Sequence, residues 1–96
     1  MKMYDLSIKP EADKIFSKLA KKNKKQLIAI WKKIEEIKAN PEHEYKYLRK
    51  PLQTFNRVHI DKHFVLIFKI DHSNEIVDVY YFGHHDDVYK WRYSGH

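Results

Sequence analysis

Residues 64–70 read Phe-Val-Leu-Ile-Phe-Lys-Ile, an apolar run broken only by one lysine. A run this short, rich in β-branched and aromatic side chains, predicts a central strand buried on both faces. Its neighbours follow from the flanking sequence. Residues 55–60 predict a strand joined to it by the short Asp61-Lys62 turn. Residues 75–82 predict another, across an Asp71-His72-Ser73-Asn74 hairpin turn.

The first forty residues complete the pattern. Residues 3–9 alternate, with Tyr4, Leu6 and Ile8 on one side and Met3, Asp5 and Ser7 on the other, which predicts a half-buried strand. Pro10 suits the first position of a helix, and Glu11 and Asp13 suit its electropositive first turn. Ile15, Phe16 and Leu19 form its apolar stripe. After a basic connector at 21–25, with Asn23 as a cap, a longer helix presents Leu27, Ile30, Trp31, Ile34 and Ile37 to the core. Asn40-Pro41 stops it. Residues 42–52 read as a loop entering the sheet, and 86–91 as a terminal helical turn. The predicted order is β-α-α-β-β-β. It makes an α+β fold, one domain over residues 1–96, with an N-terminal helical hairpin packed on one face of a small antiparallel-rich sheet.

Composition narrows the function. Without cysteine there is neither a disulfide framework nor a thiolate zinc site. No apolar stretch approaches the ~20 residues that cross a bilayer, and the start of the chain lacks the apolar run of a signal peptide. The expectation is a cytoplasmic protein with no membrane partner. Nineteen Lys and Arg against 13 Asp and Glu give a net charge of +6. That excess fits a polyanionic partner, whether RNA, DNA, a ribosome or an acidic protein.

The chemistry concentrates in Gly83-His84-His85-Asp86-Asp87-Val88-Tyr89. The glycine is expected to turn the chain where the strand ends. His85 is the leading candidate for a general acid, because imidazole exchanges protons near neutrality. His59 and His63, on the hairpin upstream, are candidates for a base or a phosphate contact. Tyr89 is a candidate for stacking on a base. Lys46, Arg49, Lys50, Arg57 and Lys62 are candidates to hold a phosphate. Lys21, Lys22, Lys24 and Lys25 are assigned to RNA docking. Against each stands a bland reading: a turn histidine, a packed aromatic, a solvated basic surface. His84, His85, Asp86, Asp87 and His59 could in principle ligate a divalent ion, but most are adjacent in sequence rather than spaced along one face, so no metal and no cofactor are expected. His72 and His96 look incidental.

The element order and these motifs resemble the RelE/ParE superfamily of bacterial and archaeal type II toxins. The hairpin at 58–70 and the segment at 83–89 carry most of the likeness, and both resemble the RelE branch, in particular its YafQ-like mRNA interferases. The resemblance implies a ribosome-dependent endonuclease that cuts mRNA at the A-site codon. The 2′-OH attacks the adjacent phosphate, leaving a cyclic phosphate and a free 5′-OH, without a metal. It also implies a RelB-like antitoxin that wraps the toxin, with operator DNA contacted only through that antitoxin. Residue by residue, His85 matches the position after the glycine where members carry Arg or His. Tyr89 matches the aromatic position four residues on. His59 matches a histidine of YafQ-like members, and His63 falls where they carry aspartate. Lys50 falls at a histidine of YafQ-like sequences and shares a basic stretch with Lys46 and Arg49. Val65 departs from the family, standing where many relatives carry an arginine, so one phosphate contact is lost. Two other readings stay open: a ParE-like inhibitor of DNA gyrase, and a decayed toxin that survives as a binding partner.

Overall fold

The computed structural model describes residues 3–92. Its elements are β1 (Asp5–Ile8), α1 (Pro10–Lys22), α2 (Lys24–Ala39), β2 (Asn56–His59), β3 (Phe64–Asp71), β4 (Ile76–His84) and α3 (His85–Val88). This is the expected α+β order. The terminal helical turn starts at His85 and ends at Val88, earlier and shorter than residues 86–91.

Asn23 makes the helical hairpin. Its backbone N–H donates to the Leu19 carbonyl at 2.8 Å, which ends α1. Its side-chain oxygen accepts from the Gln26 N–H at 3.1 Å, which starts α2. At the far end of α2, the Asn40 side chain donates to the Glu36 carbonyl, and Pro41 follows.

The four strands form one sheet in the order β1-β4-β3-β2. β3 is central, as its apolar run predicts. It pairs antiparallel with β2 and with β4, whereas β1 pairs parallel with β4. Alternation along β3 sorts its side chains between two cores. Leu66 and Phe68 join Ile30, Ile34, Ile37, Phe16, Val77 and Val79 under the helical hairpin. Val65 and Ile67 join Leu48, Leu52, Phe55, Tyr80, Val88 and Trp91 on the other face. The loop over residues 48–55 and the segment after β4 therefore cover the face the helices leave bare. Trp91 is anchored there by donating its indole N–H to Glu11 at 2.8 Å. Each large apolar side chain so buried contributes roughly 1.5–3 kcal/mol.

Two expectations are corrected. Trp31 is not a core residue: it is 37% exposed and packs edge-on against Phe16 at 5.7 Å. Its position on α2 lies beside the buried row of Ile30, Ile34 and Ile37, not within it. Gly83 does not turn the chain. It lies inside β4, paired with Val65, and the strand runs on to His84. The requirement for glycine is close packing. A Cβ there would lie 2.8 Å from the Tyr81 ring, which folds over the glycine two positions on and stacks on Trp91 at 5.4 Å.

Candidate functional site: a basic cleft beside a histidine cluster

The pleat of the sheet decides which charged side chains meet. Arg57 pairs with Ile67, and His59 with Val65, so both basic groups share the face of β3 that carries Val65 and Ile67. That face is opposite the helical hairpin. Leu48 and Arg49 approach from the loop, Lys62 from the β2–β3 turn, and His85, Asp86, Val88 and Tyr89 from α3 and the residue after it. Together they enclose a cleft of about 620 Å³. Its lining carries Arg49, Arg57 and Lys62 against the single carboxylate of Asp86, with Val65, Leu48 and Val88 as apolar surface. Such a lining suits a polyanion with a flat apolar part.

Tyr89 and Arg49 tie the two walls together. The phenol oxygen accepts the Arg49 backbone N–H at 3.0 Å, and the Arg49 guanidinium lies 5.0 Å from the ring centre. Burial alone would raise the Tyr89 phenol. The Arg49 hydrogen bonds and the positive charges of Arg49 and Arg57 outweigh it and bring the phenol below its ordinary value.

The turn before β3 is set by Asp61. Its Oδ1 accepts the amides of His63 at 2.8 Å and Phe64 at 3.0 Å. The His63 amide above all, helped by the Phe64 amide, the His63 charge and the Gln26 side chain, holds its carboxyl below the ordinary range, against the opposing effect of desolvation. The contact with Gln26 also brings the first turn of α2 to this turn. The exposed Lys24 and Lys25 therefore sit at the same end of the molecule as the turn that carries Lys62. Lys21 and Lys22 close α1 and are likewise exposed.

Not every expected residue reaches the cleft. Lys46 lines a separate concavity with Tyr45, Tyr47 and His72, where its carbonyl accepts the Arg57 N–H. Lys50 lies in the exposed part of the loop, before a cis peptide to Pro51, and does not line the cleft. His63 also stands outside it. Its carbonyl accepts the His85 N–H at 2.8 Å, and its ring stacks on His84 at 5.9 Å and 5°. His84 itself pairs with Phe64 and so shares the opposite face of the sheet from His59. His85, at the start of α3, stands at the corner between the cleft and this stack. His59 and His84 therefore stand on opposite faces of the sheet.

Asp86 is the residue that sequence reasoning undervalued. Its carboxylate lies 3.1 Å from His85 Nδ1 and 3.5 Å from His84 Nδ1, while its backbone N–H donates to His84 Nδ1 at 3.1 Å. The signal was present in the adjacency of two histidines and an acid at the start of a helical turn. It needed the strand to end at His84 to become legible.

Residues 6–89 match the family model described as ParE toxin of the type II toxin–antitoxin system parDE. The chain belongs to the RelE/ParE superfamily of type II toxins. The provisionally named toxin RelE4 of Methanocaldococcus jannaschii is 56% identical over 88 residues, which cover 92% of this chain and 93% of that one. Among solved structures, the RelBE2 toxin–antitoxin complex of Mycobacterium tuberculosis gives a TM-score of 0.72 at 20% identity, covering 91% of this toxin and 97% of that chain. A mutant of the Escherichia coli toxin RelE in the free state also gives 0.72, at 18% identity, covering 91% and 88%. The α+β fold of this toxin is therefore the RelE fold, and an antitoxin is its expected class of partner. No helix among the described residues of the toxin is long and apolar enough to cross a membrane.

Proposed function

We propose that this toxin is an endoribonuclease that cuts mRNA in the ribosomal A site. The carrying observation is that the cleft gathers His59 and His85 with Arg49, Arg57, Lys62 and Tyr89. In the reaction, the ribose 2′-OH loses its proton to His59 and its oxygen bonds to phosphorus. The bond from phosphorus to the 5′ oxygen breaks, and His85 delivers a proton to that oxygen. The products are a 2′,3′-cyclic phosphate and a 5′-OH. His85 suits the acid role because the Asp86 carboxylate, 3.1 Å from Nδ1, fixes the orientation of the ring. Arg57 and Lys62 neutralise the charge that builds on the phosphate oxygens. Arg57 reaches the cleft from the strand next to Val65, and so supplies a cation where the central strand has none. Tyr89 and Arg49 offer a flat surface for an unstacked base. Lys46, Lys50 and His63 have no part in the step. Lys21, Lys22, Lys24 and Lys25 grip ribosomal RNA from outside the cleft. A RelB-like antitoxin holds the toxin silent and contacts operator DNA on its behalf, and both proteins work in the cytoplasm.

The test is a translation reaction stalled on a defined message, with RNA ends mapped by primer extension. New ends within the A-site codon, absent without ribosomes and absent with His85→Ala, are expected. An intact message would overturn the reading. The match to a ParE model favours a second reading, in which the toxin inhibits a DNA gyrase by binding. That reading expects loss of supercoiling activity on adding the toxin, and unchanged potency for His85→Ala.

A further inference from the structure

We infer that His63, His84 and His85 form a binding site for one late first-row divalent metal ion of the Zn²⁺ class. One ring nitrogen from each lies within 4.8 Å of the others, and all three rings are exposed or half-buried. Three imidazoles with an open fourth position are a familiar donor set for Zn²⁺, Cu²⁺, Ni²⁺ and Co²⁺. Tetrahedral Zn–N bonds of about 2.0–2.1 Å put the nitrogens roughly 3.4 Å apart, so the rings must close by somewhat more than 1 Å. His63 belongs to a turn and His85 to the first position of a four-residue helix, so rotation of their side chains disturbs no buried packing.

Asp86 supplies the second observation. A histidine that ligates through Nε2 commonly donates its Nδ1–H to a carboxylate, which fixes the tautomer. The Asp86 carboxylate lies behind two of the three rings, 3.1 Å from His85 Nδ1 and 3.5 Å from His84 Nδ1. His84 Nδ1 now accepts the Asp86 amide at 3.1 Å, which leaves the proton of a neutral ring on Nε2. On ion capture Nε2 gives up that proton and Nδ1 takes one. The ring then rotates, releasing the Asp86 amide and aiming Nδ1–H at the Asp86 carboxylate, so Asp86 can serve both ligands at once. His59 lies on the other face of the sheet and takes no part.

Binding needs no RNA and stands apart from the nuclease reading. If that reading holds, a captured ion occupies the His85 nitrogen and withdraws it from proton transfer. The test is titration of the untagged full chain with Co²⁺, followed by visible absorption and then by Zn²⁺ displacement. Far-UV circular dichroism reports that each variant is folded. One Co²⁺ per chain is expected, with His63→Ala and His84→Ala each weakening binding at least tenfold, and Asp86→Asn weakening it by about 10–100-fold. His59→Ala should bind as the parent does. No saturable uptake would overturn the site. So would folded His63→Ala and His84→Ala proteins that bind as tightly as the parent, which would mean an adventitious ion only, and so would dependence on His59.

Discussion

Arg49 and Tyr89, forty positions apart in sequence, hold one wall of the cleft through a backbone N–H to phenol hydrogen bond of 3.0 Å and a guanidinium 5.0 Å from the ring centre. The pair joins the loop after α2 to the segment after α3. It therefore fixes the cleft's width as well as its charge.

The Tyr89 phenol should ionise before those of Tyr4, Tyr45 and Tyr81. Burial raises all three of these, assisted by nearby carboxylates, whereas the arginine contacts lower Tyr89. In an alkaline titration followed by phenolate absorbance, Tyr89→Phe should delete an early step, and Arg49→Ala should move that step to higher pH. A titration unchanged by Arg49→Ala would show that the contact does not persist in solution.

Gly83→Ala should destabilise the toxin by about 1–3 kcal/mol in urea or thermal unfolding, the usual cost of forcing extra volume into a packed site. The new methyl meets the Tyr81 ring, and that ring is held from behind by Trp91. In a Tyr81→Ala background the same glycine substitution should cost much less. Equal costs in both backgrounds would rule out the steric account.

For His85→Ala the expected loss is about 10²–10⁴-fold in single-turnover cleavage on ribosomes, the range for removing one positioned proton donor. Unfolding stability should stay close to the parent, since His85 is exposed.

Arg57→Ala and Lys62→Ala should each weaken binding to short single-stranded RNA and reduce the slope of log affinity against log salt by about one. The loss should be alike for different sequences, because a phosphate contact reads no base. Lys46→Ala, whose side chain belongs to another concavity, should leave the slope unchanged.

Asp71 offers a test of pH dependence. Asn74 donates both its side chain, at 2.8 Å, and its amide, at 3.0 Å, to the Asp71 carboxylate, which lowers its folded-state value below the ordinary 3.8. Stability from a lowered carboxyl is fully present above the unfolded-state value and is lost as pH falls through the folded one. Asp71→Ala should therefore be less stable than the parent at neutral pH, with the gap closing as pH falls below the ordinary carboxylate range. A gap that widens on acidification would reverse the sign.

The sequence made the fold largely legible because its signals are local. The run at 64–70 gave the central strand, Asn23 and Asn40-Pro41 marked the helix ends, and alternation gave β1. What it could not give was which face each side chain takes. Trp31 fits the helical spacing of the core yet sits at its rim, a matter of about one residue's rotation. Gly83 carried the signal of a turn but serves a ring two positions away. In the site, His59, His85, Arg49, Arg57, Lys62 and Tyr89 do converge, as their motifs suggested. His63, Lys46 and Lys50 parted from them because a turn and a loop path, neither written in local composition, sent them elsewhere.

The parallel pairing of β1 with β4 has a bearing on how the protein is made. The first strand has no sheet partner until residues 76–79 have been synthesised. A partly grown chain holds Arg57, His59 and Val65, but not His85 and Tyr89, which close the cleft. Contacts of this length form late in folding. A ribosome translating this message therefore carries a nascent chain that has no assembled cleft. The cleft proposed for cleavage is complete only in a chain grown past residue 89.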